Sequence, residues 1–296
     1  MPELPDIQIY LECLESKARG STLSELRVSN PFLLRTVDPS PQDLAGKQLL
    51  GLRRLGKRLV LCFEDELFAV LHLMIAGRLA WRGCNAKLGS KNTLASFEFE
   101  GGSLVITESG SKRRASLQIV HGEAALAALD PGGLELLDSS PEQFRESMTR
   151  SNHTLKRALT DSHILAGIGN AYSDEILHTA KLSPLQLTGN LDHDSWERLH
   201  GSSLRVIQLW TNQLRGETKS GWPRKVTAFR PGMAVHGRYG QPCPVCQHSV
   251  QRIVYVSRET NYCAFCQTGG KLLADRALSA LLNSDWPKTI EEWEGH

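Results

Sequence analysis

The sequence predicts an α+β fold: an N-terminal helix plus an eight-stranded β-sandwich, then a helical domain, then a C-terminal β-hairpin framed by four cysteines. Three observations carry this. Apolar residues recur with a helical period at the start, the period switches to two between about residues 22 and 120, and a C-x2-C pair recurs near the C-terminus after a 16-residue gap. The 296 residues, 41% hydrophobic and 22% charged, suffice for one large or two ordinary domains with real cores. Such a composition excludes collagen-like, low-complexity and disordered classes. No apolar run reaches membrane-spanning length, and Glu3 and Asp6 precede any Lys or Arg, unlike a secretory signal.

The elements follow in order. Ile7, Tyr10, Leu11, Leu14 and Ala18 mark one face of a first helix over residues 5–18. LRVS, KQLLGLRRLG, KRLVLCFE, LFAVLHLM, GRLAWR, LASFEFE, SLVITE and SLQIV read as eight short strands divided by turn signals, which suits a sandwich or barrel. DPGGLELLDSSP, at 130–141, reads as a linker. PEQFRESMTR, NHTLKRALTDS, AYSDEILHTAKL and a long stretch from DHDSWERL then carry helical patterns. HILAGIGN forms a glycine-bearing hairpin between two of them, with Asn170 placed as an N-cap and Asp174 and Glu175 near the first turn. A Gly- and Pro-rich stretch over 216–242 leads to the cysteine hairpin, and KLLADRALSALLN reads as a last short helix. The expected domains are 1–130, a 131–140 linker, a helical domain over 141–235, a zinc-finger hairpin over 236–270 and a C-terminal helical extension over 271–296.

Cys13, Cys62 and Cys84 are scattered among mostly apolar neighbours and read as small hydrophobes. Cys243, Cys246, Cys263 and Cys266 have the spacing of a four-thiolate zinc site, with two turns each presenting a pair of sulfurs to one tetrahedral Zn2+. Two redox-active pairs or two disulfides are the alternatives, and no βαβ pattern surrounds either pair.

The 34 Lys+Arg against 32 Asp+Glu give a net charge of +2, which by itself names no partner. The charges are segregated, however. From Thr218 to Arg258 there are seven basic residues and no acid; Arg53, Arg54, Lys57 and Arg58 form a second cluster, and Lys112, Arg113 and Arg114 a third. Each cluster alone could be a solvated face. Together with a zinc ribbon and a glycine hairpin they favour a polyanion, because lysines, arginines and exposed backbone N–H groups bind phosphate.

The chain start is a chemical group in its own right. Met1 precedes Pro2, a small residue that methionine aminopeptidase normally exposes. An α-amine has a pKa of roughly 7.7–8.0, so a useful fraction is neutral near pH 7 and can form a Schiff base. Glu3 beside it could transfer protons. A Pro–Glu pair is equally an ordinary helix opening, and the two residues alone leave both readings open.

MPELPDIQIY resembles the M-P-E-L-P-E-V start of the formamidopyrimidine-DNA glycosylase and endonuclease VIII family of base-excision enzymes. RRLGKRLVL looks like its R-R-x-x-K-x-L-x-L strand, HLMIAGRL its H-L-x-M-S-G-x-L, and SKRRAS its D-P-R-R-F-G. GIGNAYSDEIL is similar to its helix–two-turn–helix (H2TH) sequence, and VHGRYGQPCPVC with SRETNYCAFCQ to its zinc-finger ending. Six such motifs in one order, running to about residue 267, are specific.

The resemblance implies a bifunctional glycosylase and AP lyase that holds damaged double-stranded DNA between two domains. It further implies a monomer with one structural Zn2+, working in the bacterial cytoplasm at the nucleoid. By motif, Pro2 would attack C1′ of the damaged nucleotide and Glu3 would be the general acid/base. Lys57, His72, Asn170 and Arg258 would contact phosphates. Taken without the family, the last three read as a buried histidine, a plain N-cap and a solvated arginine. Ile75, Arg113 and Ala115 occupy the places of the Met, Arg and Phe that fill the void left by the flipped base. Ala115 is too small to stack there, which argues against a standard 8-oxoguanine enzyme. Asp6 replaces a Glu, and Glu259 stands where the family has Gly. Trp222 and Phe229, in a loop unlike the family's lesion cap, could stack on a flipped base or simply pack. Ring-opened purines and other oxidised or alkylated bases are the expected substrates. The rivals are a damaged-DNA-binding zinc-ribbon protein without catalysis and a transcription-type zinc ribbon.

Overall fold

The computed structural model describes residues 1–110, 112–219, 221–223, 225–255, 258–274, 281 and 287–294. The chain forms two compact units, one of Met1–Pro131 with Leu209–Thr227, the other of Gly132–Gln208 with Ala228–His296.

In the first unit, α1 (Leu4–Ala18) opens with a reciprocal capping box in which the Glu3 N–H donates to Asp6 Oδ2 at 2.9 Å. Pro5 in the first turn is tolerated because its missing N–H has no helical partner there. Eight strands follow: β1 (Leu23–Val28), β2 (Leu49–Leu55), β3 (Arg58–Phe63), β4 (Leu67–His72), β5 (Gly77–Arg82), β6 (Thr93–Phe99), β7 (Gly102–Glu108) and β8 (Ser116–His121). They build two four-stranded antiparallel sheets, ordered β1-β6-β7-β5 and β2-β3-β4-β8. Alternation decides what each face buries. Leu59, Leu61 and Phe63 of β3 join Leu71, Phe97, Leu104 and Leu117, together with Ile7, Tyr10 and Leu14 of α1, in the main core. Val60 and Cys62 face the other way and meet Leu126 of a short helix, α2 (Glu123–Ala127), which the sequence reading does not anticipate. A strand covered on both faces explains the unbroken apolar run of RLVLCF.

The second unit contains α3 (Pro141–Thr149), α4 (Leu155–Thr160), α5 (Asn170–Ala180) and most of α6 (His193–Thr218), then the hairpin β9 (Gln251–Tyr255) and β10 (Arg258–Tyr262), and α7 (Ala264–Thr268). Ser140 begins α3 with a capping box to Gln143. The N-cap of α5 is Gly169 rather than Asn170, which is the first helical residue and keeps its amide for another partner. The helix expected over 271–283 lies largely outside the described residues.

Residues 270–272 and 288–290 are joined to one another by backbone hydrogen bonds. Leu272 N–H donates to Lys288 O at 2.9 Å, Ile290 N–H to Gly270 O at 2.8 Å, and Ile290 is fully buried against Ile253, Tyr262, Ala264 and Leu272. Glu294 then accepts from the Ser249 N–H at 2.8 Å and its hydroxyl at 2.6 Å, beside His248, and these bonds hold its carboxyl down to about 2. The C-terminal extension thus completes the core under the cysteine hairpin. Ile290→Ala is expected to cost about 2–5 kcal/mol, read as a lower urea midpoint for the second unit. An unchanged midpoint would show that the extension is not part of that core.

Candidate active site and nucleic-acid interface

The chain's first amine lies in a partly desolvated position at the head of α1. Burial lowers its pKa below the ordinary 8.0; the charge of Glu3 opposes this, Arg78 adds to it, Asp6 opposes it and Lys57 adds to it. The structure therefore brings two charged side chains from distant parts of the chain, Lys57 and Arg78, to the amine that already has Glu3 and Asp6 near it. Glu3 and Asp6 are each only 3% exposed, both engaged in the capping box. The shortened Asp6 carboxylate reaches the Glu3 backbone, so the Asp in place of Glu is used for helix capping.

Lys57 sits in the two-residue turn Gly56–Lys57 between β2 and β3, just before the strand that KRLVLCFE was expected to open with it. Gly56 has φ +59, the conformation that a two-residue hairpin turn demands at its first position. Arg78, which the sequence reading misses, is held by three carbonyls: Val226 O at 2.7 Å, Gly77 O at 2.6 Å and Ile75 O at 3.0 Å. Carbonyls fix its position without cancelling its charge.

His72 ends β4, and its Nδ1 accepts the Met74 N–H at 3.0 Å, so its own proton sits on Nε2. Burial, with help from Arg58 and Lys57, pushes its pKa down to about 4, so it is a neutral donor at working pH. Ile75 stands at the tip of the turn after β4, 62% exposed, where Gly77 N–H closes back on Leu73 O at 2.9 Å. A Cβ at Gly77 would lie 2.2 Å from that carbonyl oxygen, so the turn requires glycine. Arg113 is exposed and donates to Lys91 O. Ala115 is buried, 3% exposed. Glu108, also missed, fixes this loop by accepting the N–H groups of Arg114 and Ala115 at 2.9–3.0 Å. The readable signal was an acid ending a strand just before a basic run.

Trp222 packs rather than waiting for a base. Its ring lies 5.6 Å from Tyr10 and 6.2 Å from Trp81, and its Nε1–H donates to Leu79 O at 2.9 Å. Phe229 stacks on His236 at 5.4 Å in the second unit.

There the glycine hairpin between α4 and α5 is held from below. Lys156 Nζ donates to Asn170 O at 2.7 Å, Ser173 Oγ at 2.7 Å and Asp174 Oδ1 at 2.6 Å. Asp174 also meets His236 Nδ1 at 2.7 Å, and Glu175 accepts three N–H groups, from Ala234, Val235 and His236, at 2.7–2.9 Å. These two acids are buried clamps on the approach to the cysteines, not solvated first-turn charges. Asn170 Nδ2 donates to Glu259 O at 2.7 Å, which places the hairpin amide beside the residue after Arg258. The Arg258 backbone opens β10, paired with Tyr255; its side chain lies outside what the structure describes. The Glu259 carboxylate accepts from Asn261 Nδ2 at 2.6 Å and faces Arg252 at 3.4 Å.

The sulfurs of Cys243, Cys246, Cys263 and Cys266 all lie within 4.8 Å of one another, and none of the four is joined in a disulfide. The Cys246–Cys263 and Cys243–Cys266 separations are 3.3 and 3.9 Å. A tetrahedral ion at about 2.3 Å from each sulfur puts neighbouring sulfurs about 3.8 Å apart, so the set fits Zn2+. Burial raises the Cys243 thiol, but the N–H groups of Cys246 and Val245 outweigh it and hold the thiol below its ordinary value. His178 Nε2 lies 3.3 Å from the same sulfur.

A sandwich headed by a desolvated amine, joined to an H2TH unit and a cysteine hairpin, is the design of a base-excision DNA glycosylase, and the comparisons with known proteins say which kind. The formamidopyrimidine-DNA glycosylase N-terminal domain model matches residues 1–114, and the H2TH domain model of the same enzymes matches 133–218. A formamidopyrimidine-DNA glycosylase of Desulforamulus reducens is 31% identical over 282 residues, covering 90% of this chain and 99% of the relative. An uncharacterized formamidopyrimidine-DNA glycosylase-like protein of Mycobacterium tuberculosis is 39% identical over 150 residues, 51% of this chain and 93% of its own. Among solved structures, MutM in complex with DNA containing carbocyclic 8-oxo-G superposes with TM-score 0.80 at 26% identity, covering 90% of this chain and all of that one. Lactococcus lactis Fpg in complex with DNA containing N7-benzyl-Fapy-dG does so with TM-score 0.80 at 25% identity and the same coverage. The chain belongs to the formamidopyrimidine-DNA glycosylase family and is a DNA glycosylase for damaged bases. No helix among the described residues is long and apolar enough to cross a membrane.

Proposed function

We propose that this protein excises ring-opened purines or other oxidised or alkylated bases from duplex DNA and then cuts the strand, through a Schiff base on Pro2. The observation that carries this is the desolvated chain-start amine under the charges of Glu3, Arg78, Asp6 and Lys57. In the structure that amine belongs to Met1, one residue before the buried Pro2; removal of Met1 frees the Pro2 nitrogen as the chain-start amine. Its lone pair attacks C1′, forming an N–C1′ bond as the C1′–base bond breaks, and the proton on the nitrogen passes to the departing base, which restores the nitrogen lone pair. Glu3 relays a proton from water to O4′, the C1′–O4′ bond opens, and the nitrogen lone pair completes the C=N bond. Loss of a C2′ proton then expels the 3′ phosphate, loss of a C4′ proton expels the 5′ phosphate, and water hydrolyses the imine to free Pro2. Positive charge at Lys57 and Arg78 discourages a second proton on the amine and attracts the flanking phosphates.

His72, Asn170 and Arg258 are assigned to phosphates, and Ile75 and Arg113 to the void. Cys243, Cys246, Cys263 and Cys266 hold one structural Zn2+, which when bound ties the two knuckles together. The protein acts as a monomer in the bacterial cytoplasm, a setting supported by its bacterial relatives.

The phosphate assignments separate by charge. Arg258→Ala is expected to lower the slope of log affinity against log salt by about one, because one counterion is no longer released. His72→Asn is expected to weaken binding with no change of slope, since a neutral imidazole releases none. A slope change for His72→Asn would mean that the imidazole binds DNA as a cation. The overall reading is tested by a panel of duplexes with defined lesions, scoring base release and strand cleavage separately. Binding without either product would leave a damaged-DNA-binding protein.

A further inference from the structure

Three separate segments of the first unit converge at the start of β8. His72 pairs with Ser116, so the turn bearing Ile75 leaves the sheet beside that start. Arg113–Ala115 lead directly into it, with Arg113 tied to Lys91 O. The segment after β1 arrives from the other side: Ser29 and Asn30 N–H donate to Leu94 O at 2.8 and 3.1 Å, Leu34 bridges Leu117 in parallel, and Arg35 N–H donates to Leu117 O at 2.9 Å. Between these fixed points lies a single 3-10 turn, Pro31–Leu33. Leu33 is buried in the core and anchors it, Asn30 Oδ1 caps it by accepting the Phe32 N–H at 3.0 Å, and Arg35 holds the Phe32 carbonyl. The Phe32 ring is 81% exposed all the same.

An exposed phenylalanine on a tethered turn, at the same end of the β2-β3-β4-β8 sheet as the exposed Ile75 and Arg113, is a built feature of this part of the unit. A glycosylase must unstack its target and fill the gap, and apolar side chains inserted between bases do this. Ala115, small and buried, offers no stacking surface. Trp222 is packed on Tyr10 and Trp81, so it is no substitute. We propose that Phe32 is a wedge residue of this enzyme: with Ile75 and Arg113 it enters the base stack at the lesion and supplies the aromatic face missing at position 115. This rests on the glycosylase reading above. Because the turn is already capped and anchored, little order has to be gained on binding.

The test compares wild type, Phe32→Ala and Phe32→Trp. Single-turnover base release is measured on duplex and on single-stranded DNA carrying the lesion the wild type releases fastest. In parallel, 2-aminopurine opposite an abasic site reports insertion without chemistry. Phe32→Ala is expected to lose at least about ten-fold more rate on duplex than on single strand, the order that one base–aromatic stack contributes. It is also expected to lose the 2-aminopurine signal, and Phe32→Trp to restore both. An exposed ring predicts an unchanged thermal midpoint for Phe32→Ala, so misfolding is checked directly. Phe32→Ala within two-fold of wild type on duplex, with the same fluorescence change, overturns the wedge. A wild type that releases no base from any lesion overturns the glycosylase reading instead, and the abasic duplex still reports whether Phe32 inserts.

Discussion

Glu3→Gln is expected to slow base release from a lesion-bearing duplex by about 10²–10⁴-fold, the range a positioned general acid/base contributes. The change is close to isosteric, and the amide oxygen can still accept the backbone N–H that the capping box supplies, so α1 keeps its start. Its electrostatic side effect runs opposite to the predicted loss. Glu3 raises the pKa of the neighbouring amine, so removing its charge lowers that pKa and enlarges the neutral, nucleophilic fraction near pH 7. A slower reaction in spite of more free amine isolates the lost proton transfer. Single-turnover rates across pH 6–9 check this. A loss below ten-fold would move the role to another carboxylate, of which Asp6 is the nearest in the same capping box.

Cys243→Ser is expected to release the metal and weaken binding to damaged duplex by at least 100-fold. Cys243 is fully buried with Val235, Val250 and Cys263, so its sulfur belongs both to the metal site and to the small core around it. Structural zinc contributes about 10–16 kcal/mol in isolated finger peptides, and the loss of one of four thiolates forfeits much of that. The loss spreads because β10 carries Arg258, and the carbonyl of Glu259 positions the amide of Asn170. The sandwich has its own core, so its β signal in circular dichroism is expected to persist. Full zinc occupancy and unchanged DNA affinity in this variant would remove the metal site from the account.

Much of the architecture was legible because it rests on local signals. Eight short runs divided by turn signals became eight strands, and four cysteines with knuckle spacing came within coordinating distance. What was not legible depends on partners distant in sequence. Asp174 and Glu175 look like ordinary first-turn acids, and only the approach of residues 234–236 shows them to be buried clamps. Trp222 in a Gly- and Pro-rich loop looks available, but it is covered because Tyr10 and Trp81 meet it from elements some 140 or more residues earlier, a separation set by their numbers. Asn170 has the chemistry of an N-cap, yet its amide goes to Glu259, 89 residues on, and the cap falls to Gly169. Arg78 fills an unspecified place in the HLMIAGRL motif and Glu108 ends the SLVITE strand; their importance comes from which backbone groups they hold.

The central claim is that the nitrogen of Pro2 is the nucleophile. Borohydride reduction of the Met1-processed protein with a duplex containing an abasic site tests it most directly, followed by proteolysis and mass mapping of the adduct. The account predicts a covalent protein–DNA species whose modified peptide begins at Pro2, and none from protein that retains Met1. Absence of any adduct, or an adduct mapped to Lys57, would contradict it.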